Sequence, residues 1–398
     1  MKGLFLLVFL WILSIAMVGT YILLSYIDIR KYQCWLVLGV GILGELIFLG
    51  YAFSFSTLSM AFIRQGQWLG TFGIAIVLGL ALAFPLLALW YGFSYWNKHR
   101  HRTGEGEKGE LIQSKECSRK AFLGGVALGI PVLTSAASLG IMQGESHFLA
   151  LTYHRICTSK VPLYLQGYRI GQISDPHMGY FFSPRQLDEA IQLLFVKGIQ
   201  RLAITGDLID ELSLLPACEV VLKKWTKKIP HGIDFCYGNH EYYRDVRKIT
   251  AMLRRAGVRI VKNEAYCAIE DRETPFYVSG VDFSFAKGKN FQLERERFIK
   301  KAMQHVPDNA FVLLLAHHSA FIKEAFAWHV PLTLCGHTHG GQINFLYPWV
   351  QGHIFTYVRG MYRDVDCYGY VNRGTGDWLP VRIGCSREVS VFELQGIR

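Results

Sequence analysis

The stretch "VPLTLCGHTHGGQI" (330–343) ends an apolar run of strand length in two histidines, His337 and His339, flanked by glycines. Four earlier runs end in acidic, amide or imidazole side chains in the same way: "YRIGQISDPH" (168–177), "RLAITGDLID" (201–210), "GIDFCYGNHE" (232–241) and "FVLLLAHH" (311–318). Between the first runs lie helix-like segments, one of which (183–198) begins with a Ser-Pro start signal. Strands that alternate with helices predict an α/β fold, whose sites lie at the carboxyl ends of the strands.

The polar side chains at these strand ends form a candidate set of metal ligands. The set comprises Asp175, His177, Asp207, Asn239, His240, His317, His337 and His339. Carboxylates, imidazoles and an amide oxygen, without any thiolate, suit divalent manganese, iron or zinc. These donors exceed what one tetrahedral ion needs, whereas two ions about 3.5–4 Å apart that share a carboxylate would use them well. We therefore expect a two-metal centre of the kind that hydrolyses phosphate esters.

The order of the motifs carries a family resemblance. The patterns D-x-H, G-D-x-x-D, G-N-H-E, H and G-H-x-H occur in this order as "DPH", "GDLID", "GNHE", "AHH" and "GHTH". Over about residues 165–395 the chain resembles the calcineurin-like metallophosphoesterases. "GHTHGGQI" and the tail "VNRGTGDWLPVRIGCSREVSVFEL" (371–394) resemble the membrane-associated bacterial branch of that family. The resemblance implies a two-sheet sandwich flanked by helices, and hydrolysis by attack of metal-bound hydroxide.

The resemblance also implies a role for each site residue. The first ion would be held by Asp175, His177 and His339, the second by Asn239, His317 and His337, and Asp207 would bridge the two. His240 would bind no metal but would face the substrate, stabilising the phosphoryl oxygens or protonating the leaving group. Asp210 would orient the imidazole of His240, as a carboxylate does when it accepts an imidazole N–H.

Three of these positions leave alternatives open. His318 is the alternative to His317, which we prefer because it directly follows the strand. Asp210 is alternatively a helix N-cap or turn residue. Glu241 either supports the neighbouring site residues or is merely solvated, and we favour the solvated position.

Residues 1–149 carry the long uncharged runs and predict a membrane region. Four runs are long enough to cross a bilayer, which takes about 20 apolar residues: about 4–25, 35–55, 68–96 and 121–143. The alternative for any one of them is a buried core helix. We predict an α-helical transmembrane region of about four helices in residues 1–149, followed by a metallophosphoesterase domain in residues 150–398.

The loop charges predict the orientation of these helices. Seven basic residues lie in the loop 97–120, and the loop between the first two runs holds Arg30 and Lys31, whereas the second loop holds only Arg64. Basic loops tend to stay in the cytoplasm. Four spans would therefore place residues 150–398 outside a bacterial cell membrane, whereas three would leave them in the cytoplasm. Seven scattered cysteines in that domain argue mildly against export, and we favour four spans.

Together these features predict a membrane-anchored, metal-dependent phosphoesterase. Residues 150–398 carry a formal net charge of +7, which suits an anionic substrate or membrane surface. The anchor suggests a lipid-linked or envelope phosphate ester or pyrophosphate as substrate. One alternative is a metal-dependent nuclease, although no basic groove interleaved with aromatic residues is evident, and we expect no nucleic-acid partner. The other is a non-catalytic membrane metal sensor or scaffold, which would not require His240 and Asp210.

Overall fold

The computed structural model divides into two compact units, residues 1–143 and 144–398. The described residues are 2–26, 31–57, 60–100, 129–140, 148–179, 181–271, 273–342, 344, 348, 351, 353–377 and 382–397. The assignment of a membrane role to the first unit and a catalytic role to the second stays a prediction. Most of the basic loop 97–120 lies outside the described residues.

The first unit is made of helices. They are Lys2–Tyr26 (α1), Lys31–Thr57 (α2), Met60–Arg100 (α3) and Gly129–Gly140 (α4). Small residues lie where these helices touch: a Cβ added at Gly79 of α3 would overlap the Ser135 backbone of α4. Thr134 Oγ1 donates across the same contact to the carbonyl of Gly79 at 2.7 Å. Close approach at small residues and hydroxyl bonds to neighbouring helices are typical of membrane bundles.

One helical segment has the length and composition of a membrane span, Ala75–Phe93 within α3. The other apolar segments found among the described residues are shorter: Ser14–Tyr26, Gln33–Ile47 and Gly129–Gly140. The structure therefore supports helices at the predicted positions and one candidate span. The four-span arrangement stays a prediction.

The second unit contains two mixed sheets. The strands are Leu149–Thr158 (β1), Arg169–Ile173 (β2), Arg201–Thr205 (β3), Ile233–Cys236 (β4), Arg259–Ile260 (β5), Glu264–Ile269 (β6), Phe276–Gly280 (β7), Phe311–His318 (β8), Leu332–Gly336 (β9), Gly360–Asp364 (β10), Cys367–Val371 (β11) and Arg387–Gly396 (β12). The first sheet has the order β1-β12-β2-β3-β4-β5, and the second β10-β11-β9-β8-β7-β6. Strands β2 to β5 are parallel, as are β7, β8, β9 and β11. Their carboxyl ends therefore meet at one edge of the sandwich.

Helices cover the outer face of each sheet. The helices of this unit are Pro184–Phe195 (α5), Leu215–Thr226 (α6), Asn239–Tyr243 (α7), Val246–Arg255 (α8), Gly288–Met303 (α9) and Phe321–Ala327 (α10), of which the short α7 lies directly after β4. Residues of α5, α6 and α8 pack in one core cluster with β2, β3 and β4, whereas α9 and α10 pack with β8. The predicted two-sheet α/β sandwich flanked by helices is confirmed.

The strands build three core layers because their side chains alternate in direction. In β8, Leu313 and Leu315 pack between the two sheets, whereas Val312 and Leu314 pack outward with α9 and α10. A strand that is apolar on both faces is buried on both, which explains the unbroken run "FVLLLA" in the sequence. The start signal at Ser183 is also real: Ser183 Oγ accepts the N–H of Gln186 in a capping box.

A buried polar cluster ties the two sheets together at the end remote from the strand-end histidines. Arg201 of β3 pairs with Asp234 of β4 and donates to Tyr266 Oη of β6 at 2.7 Å. Tyr266 Oη donates in turn to Asp234 Oδ1 at 2.6 Å. Because Arg201 is almost fully buried, its charge depends on Asp234 for compensation.

Removing the carboxylate of this cluster is expected to destabilise the second unit strongly. Asp234→Ala leaves the Arg201 guanidinium buried without its counter-ion, which costs about 3–5 kcal/mol. The measurement is the thermal unfolding midpoint of the full-length chain. As a control, Glu189→Ala removes an exposed helical ion pair with Arg185 and should cost about 0.5 kcal/mol or less. Equal shifts in the two variants would contradict the role of the cluster.

Candidate metal centre

Every predicted site residue lies at the carboxyl edge of the sandwich. Asp175 and His177 follow β2, Asp207 and Asp210 follow β3, Asn239 and His240 open α7 after β4, His317 is the last residue but one of β8, and His337 and His339 follow β9. Among the described residues, the carboxylates and imidazoles of this set form three groups whose donor atoms lie within 4.8 Å of one another. The groups are Asp175, His177 and His339; Asp207, His317 and His337; and His177, Asp210 and His240.

The first group has the spacing of ligands around one ion. His177 Nε2 lies 3.0 Å from His339 Nε2, and Asp175 Oδ1 lies 3.9 and 3.6 Å from these two nitrogens. Donors placed about 2.0–2.2 Å from a common tetrahedral centre are separated by similar distances. These are the three residues expected to hold the first ion, and that role stays a prediction.

The second group is built in the same way. His317 Nε2 lies 3.1 Å from Asp207 Oδ2 and 3.1 Å from His337 Nδ1. The other nitrogen of His317, Nδ1, donates to the carbonyl of Thr205 at 2.7 Å, which leaves Nε2 as the atom that could bind a metal. Asn239 Oδ1 is buried and has no hydrogen-bond partner among the described residues. A buried amide oxygen left in this way is one that a bound cation would satisfy.

Asp207 lies between the two groups. Its Oδ2 is 3.6 Å from His177 Nε2 in the first group and 3.1 Å from His317 Nε2 in the second. Its Oδ1 accepts the backbone N–H of His240 at 2.8 Å. This is the position that a bridging carboxylate requires, and the donors present fit two divalent ions.

The ring of the alternative ligand His318 lies beside that of His337, with 4.8 Å between centroids, but its Nδ1 is already bonded. Its Nδ1 accepts the backbone N–H of Ala320 at 3.1 Å, and its ring packs edge-on against Phe291. Burial lowers the pKa of His318 to about 3, which is typical of a neutral aromatic in the core. The geometry therefore favours His317 as the ligand.

The backbone is strained at the donors. Asp175, His177, Asp207, His337 and His339 all have φ between 47° and 73°. Side chains other than Gly rarely adopt this left-handed region, and each such residue costs on the order of 1–3 kcal/mol. Strain concentrated at functional groups indicates that the surrounding structure holds them against their local preference.

Backbone bonds between two loops hold these strained residues. The N–H groups of Asp175 and His177 donate to the carbonyls of Gly206 and Asp207 at 3.1 and 2.9 Å, so the loops after β2 and β3 pair like strands. The N–H of His337 donates to both oxygens of Asp175, at 3.1 and 3.0 Å. The carboxylate is therefore held by the loop after β9 as well.

Two glycines leave space for carboxylate side chains at the site. A Cβ added at Gly336 would overlap Ser174 Oγ and Asp175 Oδ2. A Cβ added at Gly238 would overlap Asp207 Oδ1. The glycines that precede the metal-site motifs in "GNHE" and "GHTH" thus leave room for the two acidic ligands.

Glu241 is buried, so the expectation of a solvated side chain is wrong. Its carboxylate accepts three backbone N–H groups, from Asp207 at 3.0 Å, Leu208 at 2.7 Å and Gly238 at 2.8 Å. Burial, together with the nearby Asp207, raises the pKa of Glu241 to about 7, whereas the N–H donors favour its charged form. Glu241 clamps the loop that carries Asp207.

Asp210 contacts two imidazoles rather than one. Its Oδ1 lies 2.5 Å from His240 Nδ1, and its Oδ2 lies 3.1 Å from His177 Nδ1. Burial alone would raise the pKa of Asp210, but the two imidazoles hold it well below its usual range. Asp210 is therefore a carboxylate that orients both a predicted metal ligand and the predicted substrate-facing histidine.

The electrostatics of the cluster favour added positive charge. Burial lowers the pKa of a histidine, yet Asp210 and Asp207 raise that of His177 to about 9. Asp207 and Asp175 likewise raise the pKa of His317 to about 10. Buried carboxylates that draw protons onto neighbouring imidazoles would be neutralised by divalent cations in the same place.

Arg382, in the C-terminal tail, is a site residue that the sequence analysis did not predict. It is fully buried, pairs with Asp377, and lies 3.3 Å from His339 Nδ1. Burial, and then the charges of His177 and Arg382, lower the pKa of His339 well below its usual value, which keeps its nitrogen available to a metal. The tail motif containing both Asp377 and Arg382 was the only signal of this contact.

Comparisons with known proteins show what this domain is similar to. Residues 168–341 match the family model "Calcineurin-like phosphoesterase". The chain is 29% identical to the uncharacterized metallophosphoesterase YkuE of Bacillus subtilis, over 71% of this chain and 99% of the relative. It is 26% identical to an uncharacterized metallophosphoesterase of Helicobacter pylori, over 96% and 98% of the two chains. It is 27% identical to a transmembrane protein with metallophosphoesterase domain of Bos taurus, over 72% and 66%.

Filling the space at Gly336 is expected to weaken metal binding. In Gly336→Ala the new methyl must displace Asp175 Oδ2, and a carboxylate moved off its position should reduce affinity about 10- to 100-fold. The measurement is the dissociation constant of manganese for the full-length chain by titration calorimetry. Gly179→Ala is the control, because a Cβ there meets only ordinary contacts of 3.6 Å or more. Unchanged affinity in Gly336→Ala would count against Asp175 as a ligand.

Proposed function

We propose that residues 168–341, which match the calcineurin-like phosphoesterase family, form the catalytic domain of a membrane-anchored, metal-dependent phosphoesterase with a two-metal centre. The observation that carries the proposal is the pair of donor groups that meet at Asp207. Manganese, iron and zinc all suit the donors, which are nitrogen and oxygen atoms only. The ligands proposed are Asp175, His177, Asp207, Asn239, His317, His337 and His339.

The chemistry divides between the ions and the protein. Ions bound at this centre would activate water and offset the charge that develops on the phosphoryl oxygens. His240 faces the same centre, with Nε2 4.0 Å from Asp207 Oδ2. Its Nδ1 donates to Asp210, so that Nε2 is directed to the substrate, where we propose that it protonates the leaving oxygen.

The proposed substrate is a phosphate ester or pyrophosphate. The net charge of +7 on residues 150–398 favours an anion. The proposed anchor, formed by the helices of residues 1–143, would hold the enzyme at a membrane, where lipid-linked and envelope phosphates are within reach. We propose that the catalytic domain lies on the extracytoplasmic side of a bacterial cell membrane, as the basic loops suggest.

Metal removal is expected to abolish activity, and manganese to restore it. Full-length chain stripped by chelation should not hydrolyse p-nitrophenyl phosphate or bis-p-nitrophenyl phosphate. Asp207→Asn should remove activity together with metal affinity, because one ligand serves both ions. His240→Asn should retain metal and lower kcat by about 10²- to 10⁴-fold, the usual contribution of an acid catalyst.

His305→Asn is the matched control, since it removes an exposed imidazole at the end of α9. It should retain full activity. Two equivalents of bound metal without turnover of either ester, or of lipid-linked phosphates, would favour the sensor or scaffold instead. The ratio of diester to monoester turnover in the wild-type chain would narrow the substrate.

The topology is expected to follow the charges of the loops. Alkaline phosphatase fused at the C-terminus should be active, since it folds only after export, and a cytoplasmic reporter at the same position should be silent. The opposite pattern would overturn the four-span arrangement and place the catalytic domain in the cytoplasm. Fusion after residue 100 should give the reverse result and serves as the internal control.

A further inference from the structure

Three aromatic side chains connect the two sides of the candidate metal centre. Tyr243 lies 5.6 Å from the ring of His240, Phe285 lies 5.7 Å from Tyr243, and Phe283 lies 4.9 Å from Phe285. Phe283 in turn lies 5.5 Å from the ring of His337. We refer to Tyr243, Phe283 and Phe285 as the aromatic rim.

The aromatic rim presents apolar surface to solvent beside the centre. Tyr243 is 55% exposed and Phe285 is 49% exposed. Single exposed apolar residues are common on proteins, but a contiguous apolar patch next to polar donors is typical of a binding site. The rings of the rim form one continuous row. His240 contacts the row at Tyr243, and the proposed metal ligand His337 contacts it at Phe283.

The rim is held in place by hydrogen bonds rather than by burial. Asp282, which precedes Phe283, accepts the hydroxyl of Tyr242 at 2.6 Å and forms an ion pair with Lys262 at 3.2 Å. Its backbone N–H donates to Asn263 Oδ1 at 2.9 Å. The loop that carries Phe283 and Phe285 is therefore joined to α7 and to the connection between β5 and β6. A binding surface fixed before the ligand arrives loses less entropy on binding.

We propose that the aromatic rim binds an apolar group on the leaving-group side of the substrate. This inference rests on the proposed function, in which His240 protonates the leaving oxygen. Because Tyr243 packs beside His240, the part of the substrate next to Tyr243 and Phe285 is the departing alcohol. The preferred substrates are phosphate esters whose departing alcohol carries an alkyl chain or an aryl ring.

The rings of the rim meet at angles of 54° and 67°. They form a curved apolar wall rather than a parallel slot, so the same surface can contact an alkyl chain or an aryl ring. A polar alcohol of similar size gains nothing from such a wall. The rim therefore sets specificity by apolar contact, at positions separate from the proposed metal ligands.

The test compares three esters with the same kind of leaving atom: ethyl, hexyl and 2-phenylethyl phosphate. The manganese-loaded full-length chain should have a kcat/KM for the two larger esters about 10- to 100-fold above that for ethyl phosphate, the usual value of an apolar contact. Phe285→Ala and Tyr243→Ala should each lower this ratio several-fold. Phe148→Ala, which removes an exposed phenylalanine outside the rim, should keep the wild-type ratio. A higher kcat/KM for the phenylethyl ester alone would assign the surface to aryl groups. An equal gain for the hexyl and phenylethyl esters over ethyl phosphate would assign it to apolar groups in general.

Binding is measured separately with ethyl- and hexylphosphonate, which cannot be hydrolysed at this bond. The wild-type chain should bind hexylphosphonate more tightly, and Phe285→Ala should remove the difference. If the ratio of kcat/KM between the larger esters and ethyl phosphate is the same in the wild type, Phe285→Ala and Tyr243→Ala, the role of the rim is overturned. Rim-dependent phosphonate binding without turnover of any ester would instead overturn the proposed hydrolase function and retain the binding surface.

Discussion

Two buried carboxylates impose the constraint on which the carboxyl edge of the sandwich depends. Asp175 and Asp207 are both 0–2% exposed, and each lies within 4 Å of His177 Nε2 and of His317 Nε2. Burying charges in this way is costly unless opposite charge and hydrogen bonds compensate for them. The imidazoles, the backbone N–H groups and the cations proposed there all serve that compensation.

The rest of the sandwich supplies the rigidity that this charge cluster needs. Parallel strands bring the loops to one edge, and paired loop backbones hold the donors in left-handed conformations. Glu241 binds the loop of Asp207 through two N–H groups and accepts a third from Gly238, and glycines leave space for the carboxylates. At the far end, the Arg201 cluster joins the two sheets, so the loops rest on a sandwich fixed at both ends.

The sequence predicted the donors well because each follows an apolar run that only a buried strand explains. Their grouping around Asp207 could be expected only through the family resemblance. Besides Arg382, two further features escaped prediction because they are tertiary contacts. Glu241 turns inward by pairing with amides of a loop 33 residues away, and nothing adjacent to it signals this. The aromatic rim includes a loop after β7, a strand that carries no ligand, so no motif drew attention to it.

The shared contacts of Asp210 couple two functions that a simple inventory of residues would separate. One oxygen faces the imidazole proposed to hold a cation, and the other faces the imidazole proposed to donate a proton. The one carboxylate thus contacts two imidazoles, and Arg244 Nε lies 3.4 Å from the oxygen that faces His240. Because both imidazoles contact one carboxylate, a shift of either ring moves the carboxylate that positions the other. The two rings and Asp210 therefore behave as one mechanical unit.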